Sequence, residues 1–213
     1  MTPQEASERT EAVCRLAPII PVLVVDDVAT ARPLAAALVA GGLPALEVTL
    51  RTPAALDVIA AMAEVEGGVV GAGTLLTLSD VKAAKAAGAT FGVSPGATDA
   101  LLDAAMAEGL PLLPGAATAS EAMRLYERGY SVMKFFPAEA AGGAKFLSAL
   151  ASPLPGIRFC PTGGVSPGNA GDYLKLPNVL CAGGSWVAPK DKVAAGDWAG
   201  IEALARDAAA LPR

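Results

Sequence analysis

Eight short apolar runs, each followed by a longer alanine-rich segment, do most to limit what this chain can fold into. The runs are Ile19–Val25, Ala45–Leu50, Val69–Thr74, Thr90–Pro95, Pro111–Gly115, Ser131–Pro137, Ile157–Gly164 and Val179–Ser185, spaced about 20 to 26 residues apart start to start. Most are continuously apolar rather than alternating, which is the pattern of parallel strands buried on both faces. Eight such βα units favour a single (β/α)8 TIM barrel over an open, doubly wound sheet, the alternative for the same alternation. An extra helix is expected before the first strand, around Pro3–Leu16, and a last helix near Asp197–Leu211. No linker or shift in composition divides the chain, so residues 1–213 are expected to form one barrel domain.

Local signals agree with this order. Ser79 reads as an N-cap before an alanine-rich helix, Thr118 with Glu121 as a capping box, and Ser166 as a cap ahead of Pro167 at the first helical position. Glycines at 41–42, 67–68, 88, 109 and 129 stand where helices hand over to strands, the place for a left-handed terminal residue.

Composition removes several functional classes. With 53 % hydrophobic and 17 % charged residues the chain can build a full core and is not disordered. The net charge of -5 comes without a basic cluster, which argues against a nucleic-acid partner. Leu16–Val25 is the longest apolar run; Pro18 and Pro21 interrupt it, and it is too short to span a membrane. The N-terminal residues do not read as a signal peptide. Cys14, Cys160 and Cys181 are odd in number and widely spaced, against a disulfide framework or a zinc site, and Cys160 and Cys181 read as packed thiols. A reduced, cytoplasmic protein follows. The chain has no histidine. That excludes a Ser-His-Asp triad and the usual histidine-ligated metals, so acid–base work falls to carboxylates, Lys, Tyr, Cys or water. No metal or other cofactor is expected.

In a barrel the active site lies at the C-terminal strand ends, and that is where the unusual residues collect. Lys134 lies inside the apolar run SVMKFFP. Low dielectric disfavours an ammonium, and a neutral amine is the nucleophile that Schiff-base chemistry needs. The competing reading is a lysine that snorkels to the rim or pairs structurally with an acid. Glu47 in LEVTLR is a carboxylate in an apolar strand; it is either a proton shuttle or the structural partner of Arg51 or Lys134. Arg51 suits a substrate carboxylate or phosphate, or else a rim salt bridge. Thr74 offers a hydroxyl to the same anion, or an N-cap. Gly163-Gly164 and Gly183-Gly184-Ser185 follow the last two strands, where backbone N–H groups and a helix N-terminus can hold a phosphate; a single glycine pair would equally make only a tight turn. Trp186 and Tyr173 read as packing residues.

The segments LEVTLRT, VGAGT, SPG, KFFPAE, RFCPTGG and VLCAGGSW resemble those of the KHG/KDPG aldolases, the 2-keto-3-deoxy-6-phosphogluconate aldolases. The resemblance runs from about Pro18 to the final helix. It implies a metal-independent class I lyase that cleaves the phosphorylated 2-keto-3-deoxy sugar acid to pyruvate and glyceraldehyde 3-phosphate, a step of the Entner–Doudoroff pathway. It extends to 4-hydroxy-2-oxoglutarate as a second substrate. It further implies Lys134 as the Schiff-base lysine and Glu47 as general acid/base. Arg51 and Thr74 would hold the pyruvyl carboxylate, and Pro95 and Phe136 would shape the pocket wall. Thr162, Gly163, Gly164, Gly184 and Ser185 would bind the distal substrate and its phosphate. The implied assembly is a homotrimer. The alternatives are the phosphogalactonate analogue as substrate, or a phosphosugar isomerase or epimerase on the same barrel.

Overall fold

The computed structural model describes residues 1–212. Among these residues nine short strands form: β1 (Ile19–Leu23), β2 (Ala45–Thr49), β3 (Val69–Gly73), β4 (Phe91–Val93), β5 (Leu112–Leu113), β6 (Gly115–Ala116), β7 (Val132–Phe135), β8 (Arg158–Pro161) and β9 (Ala182–Gly184). Ten helices accompany them: α1 (Pro3–Cys14), α2 (Ala31–Ala40), α3 (Ala55–Ala63), α4 (Leu78–Ala86), α5 (Asp99–Glu108), α6 (Ala119–Glu127), α7 (Gly143–Leu150), α8 (Ala170–Leu174), α9 (Lys190–Ala195) and α10 (Trp198–Ala209). All paired strands run parallel.

The expected closed eight-stranded TIM barrel is not what forms. The strands make two sheets, one of six in the order β5-β4-β3-β2-β1-β9 and one of three in the order β6-β7-β8. The result is a distorted α/β barrel with two seams, and a proline sits at each. Along the fifth run, Leu113 O accepts from Ser94 on the β4 side, whereas Pro114 O accepts from Lys134 N on the β7 side. The amide that would face β7 therefore belongs to Pro114, which has none to give. One run is thereby split into β5, paired with β4, and β6, paired with β7. At the other seam Phe159 N donates to Asn178 O, and the next amide facing that way belongs to Pro161. There β8 and the last strand meet only through the isolated bridges Phe159–Val179 and Thr162–Gly183.

Other expectations divide similarly. Thr118 and Glu121 do form a capping box, and the N–H of Ala117 holds the Glu121 carboxyl below its usual range. The cap of α4 is Thr77 with Asp80, not Ser79, because the helix begins one residue before that serine. Ser166 caps no helix; its N–H is taken by Asn169 Oδ1, and α8 starts only at Ala170. Gly42, Gly67, Gly88, Gly109 and Gly129 all have positive φ, as the helix-ending role requires.

The core has two parts. A large one lies between strands and outer helices and includes Leu34, Leu38, Ile59, Phe135 and Ile201. A smaller one fills the barrel interior, with Ile20, Ala45, Phe91, Val93, Leu113, Val132, Leu180 and all three cysteines. Helix α1 packs against β5 and β7 and brings Cys14 into that interior, while Ser7 Oγ accepts from Ser131 N at 3.0 Å. The N-terminal mouth of the barrel is thus covered, and the C-terminal mouth is left for a ligand.

Candidate active site

Lys134 and Glu47 come from different sheets and meet inside the barrel. Lys134 lies on β7 beside Gly115 and Cys160; Glu47 lies on β2 beside Val22 and Gly71. Lys134 Nζ donates to Glu47 Oε1 at 3.0 Å, and each side chain is 4 % exposed. The pairing that sequence alone left open as a structural alternative therefore exists. A buried ion pair is poor evidence of a stabilising role, since desolvating two charges offsets their attraction. It is good evidence of a direct path for a proton between amine and carboxylate.

Small residues make room for the pair. A Cβ at Gly73 would lie 2.3 Å from Glu47 Oε1, and one at Gly115 would lie 2.3 Å from the Pro95 carbonyl. Pro95 thus packs on the strand next to Lys134 without lining the large cavity described below. Phe136 lies two residues after Lys134 and precedes the cis peptide to Pro137; its ring centroid is 5.5 Å from Nζ.

Arg51 Nε donates to Thr74 Oγ1 at 3.2 Å. Thr74 caps no helix, because Thr77 has that place, and it carries φ 64°, a costly conformation for a β-branched residue. Backbone strain and an arginine meet at the end of β3, one residue beyond the glycine that faces Glu47.

Above the pair opens a cavity of about 380 Å³. Arg51, Phe136, Thr162, Gly163, Gly164, Gly184 and Ser185 line it, as do Val22, Val24, Val165, Gly183, Ala188, Pro189 and Lys190. The cavity therefore gathers seven of the expected residues, while Lys134, Glu47, Thr74 and Pro95 stand outside its lining. Its glycine wall is fixed by neighbours. A Cβ on Gly184 would fall 1.9 Å from Trp186 Cζ3, and one on Gly183 would fall 2.4 Å from Thr162 Oγ1. Glu139 N donates to Gly163 O at 3.0 Å, and Asn169 Nδ2 donates to Gly164 O at 3.0 Å. The Tyr173 hydroxyl donates to Glu139 Oε1; burial, and then this bond, push its pKa up. Tyr173, read from sequence as packing, also braces the loop. The start of α9 reaches the cavity through Pro189 and Lys190, whereas α8 begins only at Ala170. Lys190, Gly73 and Glu139 escaped the sequence reading. Only Glu139 had a signal, its place in KFFPAE.

Among the described residues no group of three or more His, Cys, Asp or Glu side chains is placed to hold a metal ion, and no helix is long and apolar enough to cross a membrane.

The family model for KDPG and KHG aldolases matches residues 10–204. The chain belongs to this family. A 2-dehydro-3-deoxy-phosphogluconate aldolase from Pseudoalteromonas atlantica is 56 % identical over 194 residues, covering 91 % of this chain and 90 % of that protein. Among solved members of the KDPG aldolase family, the Zymomonas mobilis enzyme with 3-phosphoglycerate superposes with a TM-score of 0.93 at 50 % identity, covering 97 % of this chain and 98 % of that one. The Legionella pneumophila KDPG aldolase, with pyruvate captured as a covalent carbinolamine, gives 0.91 at 43 % identity, covering 94 % and 98 %. The distorted barrel is therefore the fold of this aldolase family.

Proposed function

We propose that this chain is a class I aldolase that cleaves 2-keto-3-deoxy-6-phosphogluconate to pyruvate and glyceraldehyde 3-phosphate, with 4-hydroxy-2-oxoglutarate as a second substrate. The observation that carries the reading is the buried Lys134–Glu47 pair beneath a glycine-walled cavity. The carbinolamine in the Legionella relative supports covalent lysine chemistry.

In the cycle, Lys134 passes a proton to Glu47 and its neutral amine attacks the C2 ketone. Glu47 returns that proton to the carbinolamine hydroxyl, which leaves as water, and the product is a protonated imine, an electron sink that the ketone cannot match. Glu47, directly or through water, takes the proton of the C4 hydroxyl, and the C3–C4 bond breaks. Glyceraldehyde 3-phosphate leaves, and the electrons left on the pyruvyl fragment form an enamine. The enamine is protonated at C3, and water hydrolyses the imine to pyruvate and free Lys134. Arg51 with Thr74 holds the pyruvyl carboxylate, Phe136 walls the pocket, and Pro95 backs the strand next to Lys134. Thr162, Gly163, Gly164, Gly184 and Ser185 hold the phosphate end, so remote binding energy orients the reacting bond.

On this reading the enzyme serves the Entner–Doudoroff route, works in the cytoplasm as one domain over residues 1–213, and assembles as a homotrimer. Leu56 on α3, Leu76 before α4 and Leu78 at its start are exposed, and α3 and α4 are in contact, which is in keeping with self-association there. The test is pyruvate release from 2-keto-3-deoxy-6-phosphogluconate with a chelator present. Turnover by the native chain and its loss in Lys134→Met are expected. Turnover that survives Lys134→Met would contradict the reading.

A further inference from the structure

The cavity over the Lys134–Glu47 pair carries two cationic side chains, Arg51 and Lys190. They are not equivalent. Arg51 is bonded to Thr74 at the end of β3, so its charge is committed to one side of the site. Lys190 opens α9, follows Pro189, and shares the cavity wall with Gly183, Gly184 and Ser185. No ion pair within 4.0 Å involves it among the described residues, whereas Lys192 on the same helix is paired with Asp197. Asp26 and Asp27 line the adjoining hollow with Lys190 but form no salt bridge to it. The glycine wall offers neutral backbone donors. A phosphate dianion seated there meets no other full positive charge on that wall, and a flexible lysine is suited to act on it as a point charge.

We propose that Lys190 determines the preference of this enzyme for phosphorylated over unphosphorylated substrates, by placing its ammonium against the substrate phosphate. This rests on the reading that the phosphate lies at the glycine wall. Lys190 is exposed in the free chain, so its contribution is of the size of an exposed ion pair and is screened by salt.

The experiment compares KM for 2-keto-3-deoxy-6-phosphogluconate in the native chain, Lys190→Met, Lys190→Arg and Ser185→Ala, each at low and at high ionic strength. Borohydride trapping of pyruvate, which has no phosphate, serves as the reference. Lys190→Met is expected to raise KM about two- to fivefold at low salt. The ratio to native should shrink at high salt, kcat and pyruvate trapping should hold, and Lys190→Arg should restore the native KM. An unchanged KM in Lys190→Met at low salt would overturn the proposal, as would an increase that salt does not reduce. If Ser185→Ala raises KM while Lys190→Met does not, the phosphate reading stands and the role of Lys190 falls. If neither variant moves KM, both fall.

Discussion

A lysine and a glutamate with side chains 4 % exposed, 3.0 Å apart and drawn from opposite sheets, are the pair on which the proposed chemistry rests. Both were legible as charged residues inside apolar runs. What was not legible is how little space they have. Gly73 reads as one more strand-end glycine until the fold brings the Glu47 side chain against it, although its register partner is Thr49, and that approach is a long-range fact. A methyl group there would stand 2.3 Å from the carboxylate. Gly73→Ala is therefore expected to keep the fold, measured by circular dichroism, and to lower kcat by about 10²-fold through misplacement of Glu47. Near-native turnover would show that Glu47 tolerates displacement. Arg51 and Thr74 were each readable in two ways; Thr77 takes the cap, and Arg51 forms no salt bridge among the described residues but donates to Thr74 at 3.2 Å. Lys190 was missed because a lysine after Pro189 resembles any solvated helix start; only the cavity gives it a neighbourhood.

The elements were easier to foresee than their pairing. The eight apolar runs all became strands or strand pairs, yet the prolines at 114 and 161 lie within runs otherwise suited to central strands. Which neighbour each lost amide would have faced depends on pleat and register, so the seams could not be read from spacing. The same limit explains the caps. Thr118-x-x-Glu121 was recognisable, while Thr77-x-x-Asp80 was overlooked in favour of the adjacent serine. At the α6–β7 junction, Tyr130 is fully buried and its hydroxyl has no hydrogen-bond partner among the described residues. Burial pushes its pKa up to about 12. The folded state thus favours the neutral phenol. The stability this confers is complete below the ordinary tyrosine value near 10 and is lost as pH rises through about 12. Tyr130→Phe is expected to be neutral or up to about 1 kcal/mol more stable at pH 7. It should also lose less melting temperature than the native chain between about pH 10 and 12. Thermal melts across that range decide it; a marked destabilisation at pH 7 would point to a bond to the hydroxyl.

At the scale of the whole molecule, α1 covers one mouth of the barrel while glycine loops and two cations rim the cavity at the other. The alternation of strands and helices and the N-terminal helix were visible in the sequence. The split into six and three strands was not. That split leaves the lysine on the small sheet and the glutamate on the large one, so the buried ion pair bridges two sheets rather than neighbouring strands of one. The central claim is that Lys134 bonds covalently to the keto carbon. Incubation with pyruvate, borohydride reduction, digestion and mass analysis test it most directly. The expected result is a reduced pyruvyl adduct on the peptide containing Lys134 and none in Lys134→Met. A folded chain that binds pyruvate yet yields no adduct there, or an adduct on another lysine, would contradict it.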